Sequence, residues 1–194
     1  MKVRMVALLS AVFLMLVPLT ACGGGSDDGS GDGSGGGASE SGLSDTIVLP
    51  DGWEMLDAVS VADVEAVVGV SGYAPWSETL SDAAAGKPQG GYVGPDGLVA
   101  SKINILVYTK DGQAEYDRVA DYVNNPTPLS GELWDQAIIG VMSDTATEDV
   151  AAVLARRGDV CLRVQWDPEA YANWDDTELG VKLTNMVIEN LYGK

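Results

Sequence analysis

Apolar and polar positions divide the 194-residue chain into three unlike stretches. Residues 5–17 are apolar except for Ser10. Residues 23–44 carry almost no apolar side chain: of these 22 positions, ten are Gly and six are Ser. From residue 45 onward, apolar residues recur with the periods of secondary structure. Residues 46–49 read as a short strand stopped by Pro50, and Asp51-Gly52 as a turn. Ser60-Val61-Ala62-Asp63 has the form of a capping box with Asp in place of Glu. Val61, Val64, Val67 and Val68 then share one helical face, and Gly69 is the natural stop. A second short helix is predicted over 77–85, and residues 87–97, rich in glycine and holding Pro88 and Pro95, read as a loop or hairpin end.

The clearest strand covers 98–109, with Ile103, Ile105 and Val107 facing one way and Lys102, Asn104, Leu106 and Tyr108 the other. After an Asp111-Gly112 turn, 113–124 reads as a helix with Tyr116, Val119, Ala120 and Val123 inward; Pro126 and Pro128 prevent its continuation. Residues 137–142 and 160–166 read as strands. Between them "TEDVAAVLARRG" fits two templates. One is a helix capped by Thr147, with acids in its first turn, arginines in its last and Gly158 as the stop. The other is a strand that pairs with 160–166 around Arg157-Gly158-Asp159. The second is preferred, because a helix and two loops fit tightly into that length. Residues 175–192 close the chain as a helix with Leu179, Leu183, Met186, Val187 and Leu191 as its apolar stripe and Asp175 or Asp176 as its cap. Short turns between successive strands imply an antiparallel sheet. The predicted fold is therefore α+β, with the helices packed on one face of that sheet.

Three segments follow: 1–21, 22–44 and a single domain over 45–194. A domain of that size buries about 70% of its unfolded surface. The 5–17 run is too short for the roughly 20 residues of a bilayer span and suits the core of a secretory signal, with Lys2 and Arg4 ahead of it. It ends in Leu19-Thr20-Ala21-Cys22. This resembles the lipobox of bacterial lipoproteins. The resemblance implies a diacylglycerol on the Cys22 sulfur and cleavage just before it. The membrane is then a partner through that lipid, and the protein sits on the extracytoplasmic face of the cell membrane. The Gly/Ser stretch is expected to be a disordered tether with a mean span of roughly 25 Å. Its Asp27, Asp28, Asp32 and Glu40 have no EF-hand spacing and read as solvated.

Charge narrows the function. The chain has 11 basic and 29 acidic residues, a net −18. Repulsion of phosphates argues against nucleic acid and leaves cationic envelope ligands or proteins as partners. Histidine is absent, which excludes Ser-His and Cys-His nucleophile systems and His-containing zinc sites. No metal or cofactor motif appears. Cys161, in an apolar strand, reads as a buried structural thiol, separate in fate from Cys22. Arg157-Gly158-Asp159 spells an adhesive tripeptide, but three-residue matches arise freely and a turn is the simpler reading.

The loop "WDPEAYANWDD" (166–176) bunches aromatics with acids, so Trp166, Asp167, Tyr171 and Trp174 are the candidate ligand-binding residues, suited to a cation, an amine or a sugar. The plainer reading is a strand-to-helix connection with a Pro turn and a cluster of caps. In element order and in the segments "SVADVEAVVG", "LWDQAIIG" and "GDVCLRVQW", residues 45–194 resemble small actinobacterial lipoprotein domains, including sensor-like families and those with a Mog1/PsbP-like fold. That resemblance implies a non-enzymatic binding or sensing module. Several such families have a disulfide-supported cleft, which one cysteine cannot supply. The alternatives are an envelope hydrolase using carboxylates or an oxygen-ligated metal, and an accessory subunit of an envelope complex.

Overall fold

In the computed structural model the described residues are 42–76, 85–98, 102–145 and 148–194. The predicted leader, Cys22, most of the predicted tether, nearly all of the helix predicted over 77–85 and the cap position Thr147 lie outside them. The elements are α1 (Met55–Ala58), α2 (Val61–Val68), β1 (Ala74–Pro75), β2 (Gln89–Val93), β3 (Lys102–Tyr108), α3 (Gly112–Ala120), β4 (Val123–Pro128), β5 (Gln136–Thr145), β6 (Glu148–Arg157), β7 (Val160–Trp166) and α4 (Asp176–Tyr192). The seven strands form one sheet in the order β1-β2-β3-β7-β6-β5-β4, and every neighbouring pair is antiparallel. The α+β class and the antiparallel sheet are as the sequence predicts. So is the hairpin around Gly158, where Arg157 pairs with Val160 and the register runs on to Ala151 opposite Trp166.

Three helices share one face of the sheet, as expected. Ile103, Ile105, Val107, Val153, Leu162 and Val164 point there, onto Val64 and Val68 of α2 and onto the Leu179, Leu183, Val187 and Leu191 stripe of α4. Full burial of each such side chain contributes about 1.5–3 kcal/mol relative to leaving it in water. The fourth helix departs from the expectation. Tyr116 and Val119 of α3 cover the opposite face, against Leu106, Tyr108, Leu154 and Cys161. The topology requires this. Counting antiparallel neighbours from β3 to β4 makes those two strands parallel, so their connection must cross a face of the sheet. One face is already filled, and the apolar residues at alternate positions of β3, β6 and β7 need a cover on the other.

Other local expectations fail for physical reasons. Residues 46–49 have strand composition but no strand partner; the Ser44 and Val48 amides instead donate to the Tyr192 and Leu191 carbonyls at the end of α4 (3.1 and 2.9 Å). The glycine-rich stretch 87–97 contains a true strand, β2. Its Tyr92 is fully buried and donates to the Val59 carbonyl (2.7 Å), while a Cβ on Gly90 would lie 2.5 Å from Met55 Cγ. Glycine here permits close packing rather than a turn. The helix over 113–124 stops at Ala120, and Val123, inward as expected, already belongs to β4. Leu43, placed in the tether by composition, is 5% exposed and part of the core, so the packed domain begins slightly earlier than residue 45.

The α2 capping box is complete. The Ser60 Oγ accepts from the Asp63 amide (3.2 Å), and Asp63 Oδ2 accepts from the Ser60 amide (2.7 Å). Asp63→Ala removes one half of this reciprocal pair. It is expected to lower stability by about 1 kcal/mol, measured as a shift of the urea midpoint at constant slope.

Candidate functional site

The structure puts Trp166, Asp167, Tyr171 and Trp174 of the aromatic loop to structural use. Trp166, at the end of β7, is 1% exposed, and its Nε1 donates to Asp176 Oδ1 (3.1 Å). Gly180 makes room for it: a Cβ there would lie 2.7 Å from the Trp166 ring. Asp167 Oδ1 accepts from the Glu169 amide (2.8 Å), closing an Asx turn. Tyr171 is buried with its hydroxyl 3.0 Å from that of Tyr73. Burial raises the pKa of Tyr171 above the ordinary phenol value, and its hydrogen bond to Tyr73 adds to the rise. Trp174 is half-buried, and Lys182 Nζ of α4 already sits 4.8 Å from its ring centroid. Asp175 Oδ1 caps α4 through the Glu178 amide (3.0 Å). Asp167, Asp175 and Asp176 thus serve a turn, a cap and an indole, and the cation over the Trp174 ring is the protein's own.

Among the described residues, two clefts lie elsewhere, and neither is lined by Trp166, Asp167, Tyr171 or Trp174. They share Ile47 and Thr109 as a partition. The first, of about 600 Å³, forms at the β6–β7 turn, where Asp45, Glu132, Asp135 and Asp159 surround Arg157 and Tyr192. The second, of about 640 Å³, is walled by Leu49, Pro50, Trp53, Pro88 and Lys110.

The floor of the first cleft is rigid. The Arg157 guanidinium stacks over the Tyr192 ring (4.9 Å to the centroid) and donates to the Leu133 carbonyl (3.1 Å). The Tyr192 hydroxyl donates to the Arg157 carbonyl (3.1 Å). Burial pushes the Tyr192 phenol up to about 12; Arg157 opposes the shift, while Asp135 and Asp159 add to it. Tyr192 is therefore a neutral donor at physiological pH. Asp135 is engaged by the Gly158 amide (2.8 Å) and by Arg156 (3.1 Å). Asp159 Oδ1 accepts from the Gly112 amide (3.1 Å). Asp45 and Glu132 differ: both are exposed, and among the described residues neither has a hydrogen-bond or ion-pair partner.

Four carboxylates against Arg157, with Arg156 paired to one of them, leave this cleft a net negative field that its low-dielectric walls concentrate. Two of the acids stay available at its rim. The sequence pattern does not point to these residues because they come from three distant segments, and no spacing links Asp45, Glu132, Asp135 and Asp159. Among the described residues, no group of three or more acids or cysteines is close enough to hold a metal ion. Cys161 is fully buried on β7, and burial pushes its thiol up to about 12, so it carries negligible thiolate at neutral pH.

Comparison of the chain with family models, with curated proteins and with solved structures finds no match.

Proposed function

We propose that this protein is a lipid-anchored, non-enzymatic binding module on the extracytoplasmic face of a bacterial cell membrane, and that its acidic cleft takes a cationic ligand bearing ammonium groups. The anchor half of the reading rests on the resemblance of residues 19–22 to a lipobox. One observation carries the binding half: uncommitted Asp45 and Glu132 at the rim of a cleft whose other acids are held in place by backbone amides. A preorganised negative site costs little to assemble when a cation arrives. Net acidity, −18 over the chain, steers cations toward the protein and nucleic acid away from it.

Spermidine is a suitable probe because its ammonium groups are spaced along a flexible chain. Isothermal titration at low ionic strength is expected to show binding that weakens as salt approaches 0.15 M, where the Debye length is about 8 Å. The pair Asp45→Asn and Glu132→Gln is expected to weaken binding about tenfold or more, with an unchanged melting temperature for the free protein. Equal affinity in the double variant would reject the cleft as the binding place.

A further inference from the structure

The segment that walls the acidic cleft is held without strand or helix pairing, by buried Leu43 and by Ile47 and Leu49, which pack partly buried against the core. Leu43 is buried at its start, and two amides, of Ser44 and Val48, donate to the last carbonyls of α4. Between these points Asp45 and Thr46 are exposed, and Val48 is 55% exposed. Glycines with positive φ bracket it, Gly42 at 69° and Gly52 at 77°, and a Cβ on either would meet nothing within 4 Å. Beyond the second glycine the chain is fixed again, with Trp53 buried and its amide donating to the Pro50 carbonyl (3.3 Å). Among the described residues, no sheet or helix pairing includes residues 43–49. The same residues shape both clefts. Asp45, Thr46 and Ile47 line the acidic one, Ile47 and Leu49 line its neighbour, and Ile47 with Thr109 divides the two.

We propose that residues 43–49 form a strap that docks and undocks as a unit while the sheet stays folded, and that a cation in the acidic cleft holds the strap down. The second half rests on the cation reading above. Lifting the strap removes Asp45, one of the two uncommitted carboxylates, and opens the partition at Ile47. A ligand that touches the docked strap binds only that state, so it shifts the equilibrium toward docking. By linkage, weakening the docking weakens the ligand by the corresponding loss of competent protein.

The test is hydrogen exchange and spermidine titration on the whole chain, as wild type and with single substitutions. Without ligand, the Ser44 and Val48 amides are expected to exchange more than about 100-fold faster than those of Val153 and Val164 in the central ladder, because opening the strap leaves the sheet intact. Spermidine should slow the strap amides and leave the ladder unchanged. Leu43→Asp puts a charge into the apolar anchor site and should weaken spermidine at least about tenfold through loss of docked strap. Its added negative charge alone would favour the cation, so the two effects have opposite signs. Val70→Asp adds the same charge at an exposed position outside the strap (46% exposed) and should bind spermidine as tightly as wild type or tighter.

Equal exchange of strap and ladder amides would overturn the strap. So would loss of protection at Val153 and Val164 together with the strap in both Leu43→Asp and the milder Leu43→Ala. Unweakened binding by a folded Leu43→Asp would overturn the coupling. Failure of wild type to bind spermidine overturns the cation reading and the coupling with it. The exchange rates decide the strap separately.

Discussion

Gly112→Ala is expected to destabilise the domain by about 3 kcal/mol, a large effect for one methyl group. The added Cβ would fall against the carbonyl carbon of Asp159, 2.5 Å from its oxygen and 2.7 Å from the Val160 nitrogen. All three are backbone atoms, so no rotamer change relieves the clash. Either α3 lifts from the sheet or the β6–β7 turn gives way. In both cases the Gly112 amide loses the Asp159 carbonyl (3.0 Å) and carboxylate (3.1 Å) that it bonds now. Overpacking of this kind costs about 1–3 kcal/mol, and each lost hydrogen bond about 1. For a domain of this size the sum lowers the melting temperature by about 6–12 °C. Gly158→Ala is the control. Gly158 has φ 56° and nothing within 4 Å of its Cβ position, so alanine there bears only the left-handed backbone cost of about 1–2 kcal/mol. Calorimetry of the two variants side by side should separate them by several degrees. A Gly112→Ala protein as stable as Gly158→Ala would mean that α3 can shift freely over the turn.

The same contact shows why Arg157-Gly158-Asp159 is a turn. Asp159 is held through both its carbonyl and its carboxylate by the first residue of α3, and Arg157 is stacked on Tyr192. The pairing around Gly158 was legible from length: "TEDVAAVLARRG" fits a helix or a strand, but a helix and two loops fit tightly between the flanking strands. The capping box at Ser60 and the Asp175 cap were legible because they are local, made by residues three apart. What local pattern cannot carry is which carbonyls a segment will find. Residues 46–49 have the β-branched composition of a strand, yet the end of α4, more than 140 positions away, takes two of the amides around them. Gly90 and Gly91 look like loop residues until Met55 is placed over the first of them. The side of the sheet taken by α3 follows from strand order, which spacing along the chain does not contain.

The site divides in the same way. Residues 166–176 stood out because aromatics and acids are dense there, and density in sequence marks a cap cluster as readily as a pocket. Asp175, Asp176 and Asp167 each meet an N–H within 3.1 Å, so the local electrostatics of that loop are largely satisfied. The acidic cleft has no local signature, since the strap, the 132–135 segment and the β6–β7 turn meet only in three dimensions. Its usable charge lies in the two carboxylates that the fold leaves unengaged, and only a structure distinguishes those from the other acids.

Cys22→Ala is expected to abolish the lipid-modified mature species, whereas Cys161→Ala leaves that species unchanged. Anchorage by acyl chains scales at about 0.8 kcal/mol per buried methylene, and two chains hold a protein that one holds only marginally. Without the sulfur at position 22 no diacylglycerol can attach there, and among the described residues no helix is long and apolar enough to cross a membrane. The two thiols cannot substitute for each other. Cys161 is fully buried between strands and beneath α3, with its thiol pushed up to about 12, so it is neither an accessible acceptor nor a ready disulfide partner. Leu19, three residues before the cysteine, suits general signal cleavage poorly, so the Cys22→Ala chain should accumulate with its leader attached. Detergent-phase partition with intact-mass measurement reads both effects. Wild type should enter the detergent phase as a species starting at residue 22 and heavier by the lipid; Cys22→Ala should lose that species. A mature, unmodified thiol at position 22 in the native protein would overturn the anchor, while the strap and the acidic cleft would still stand or fall by their own measurements.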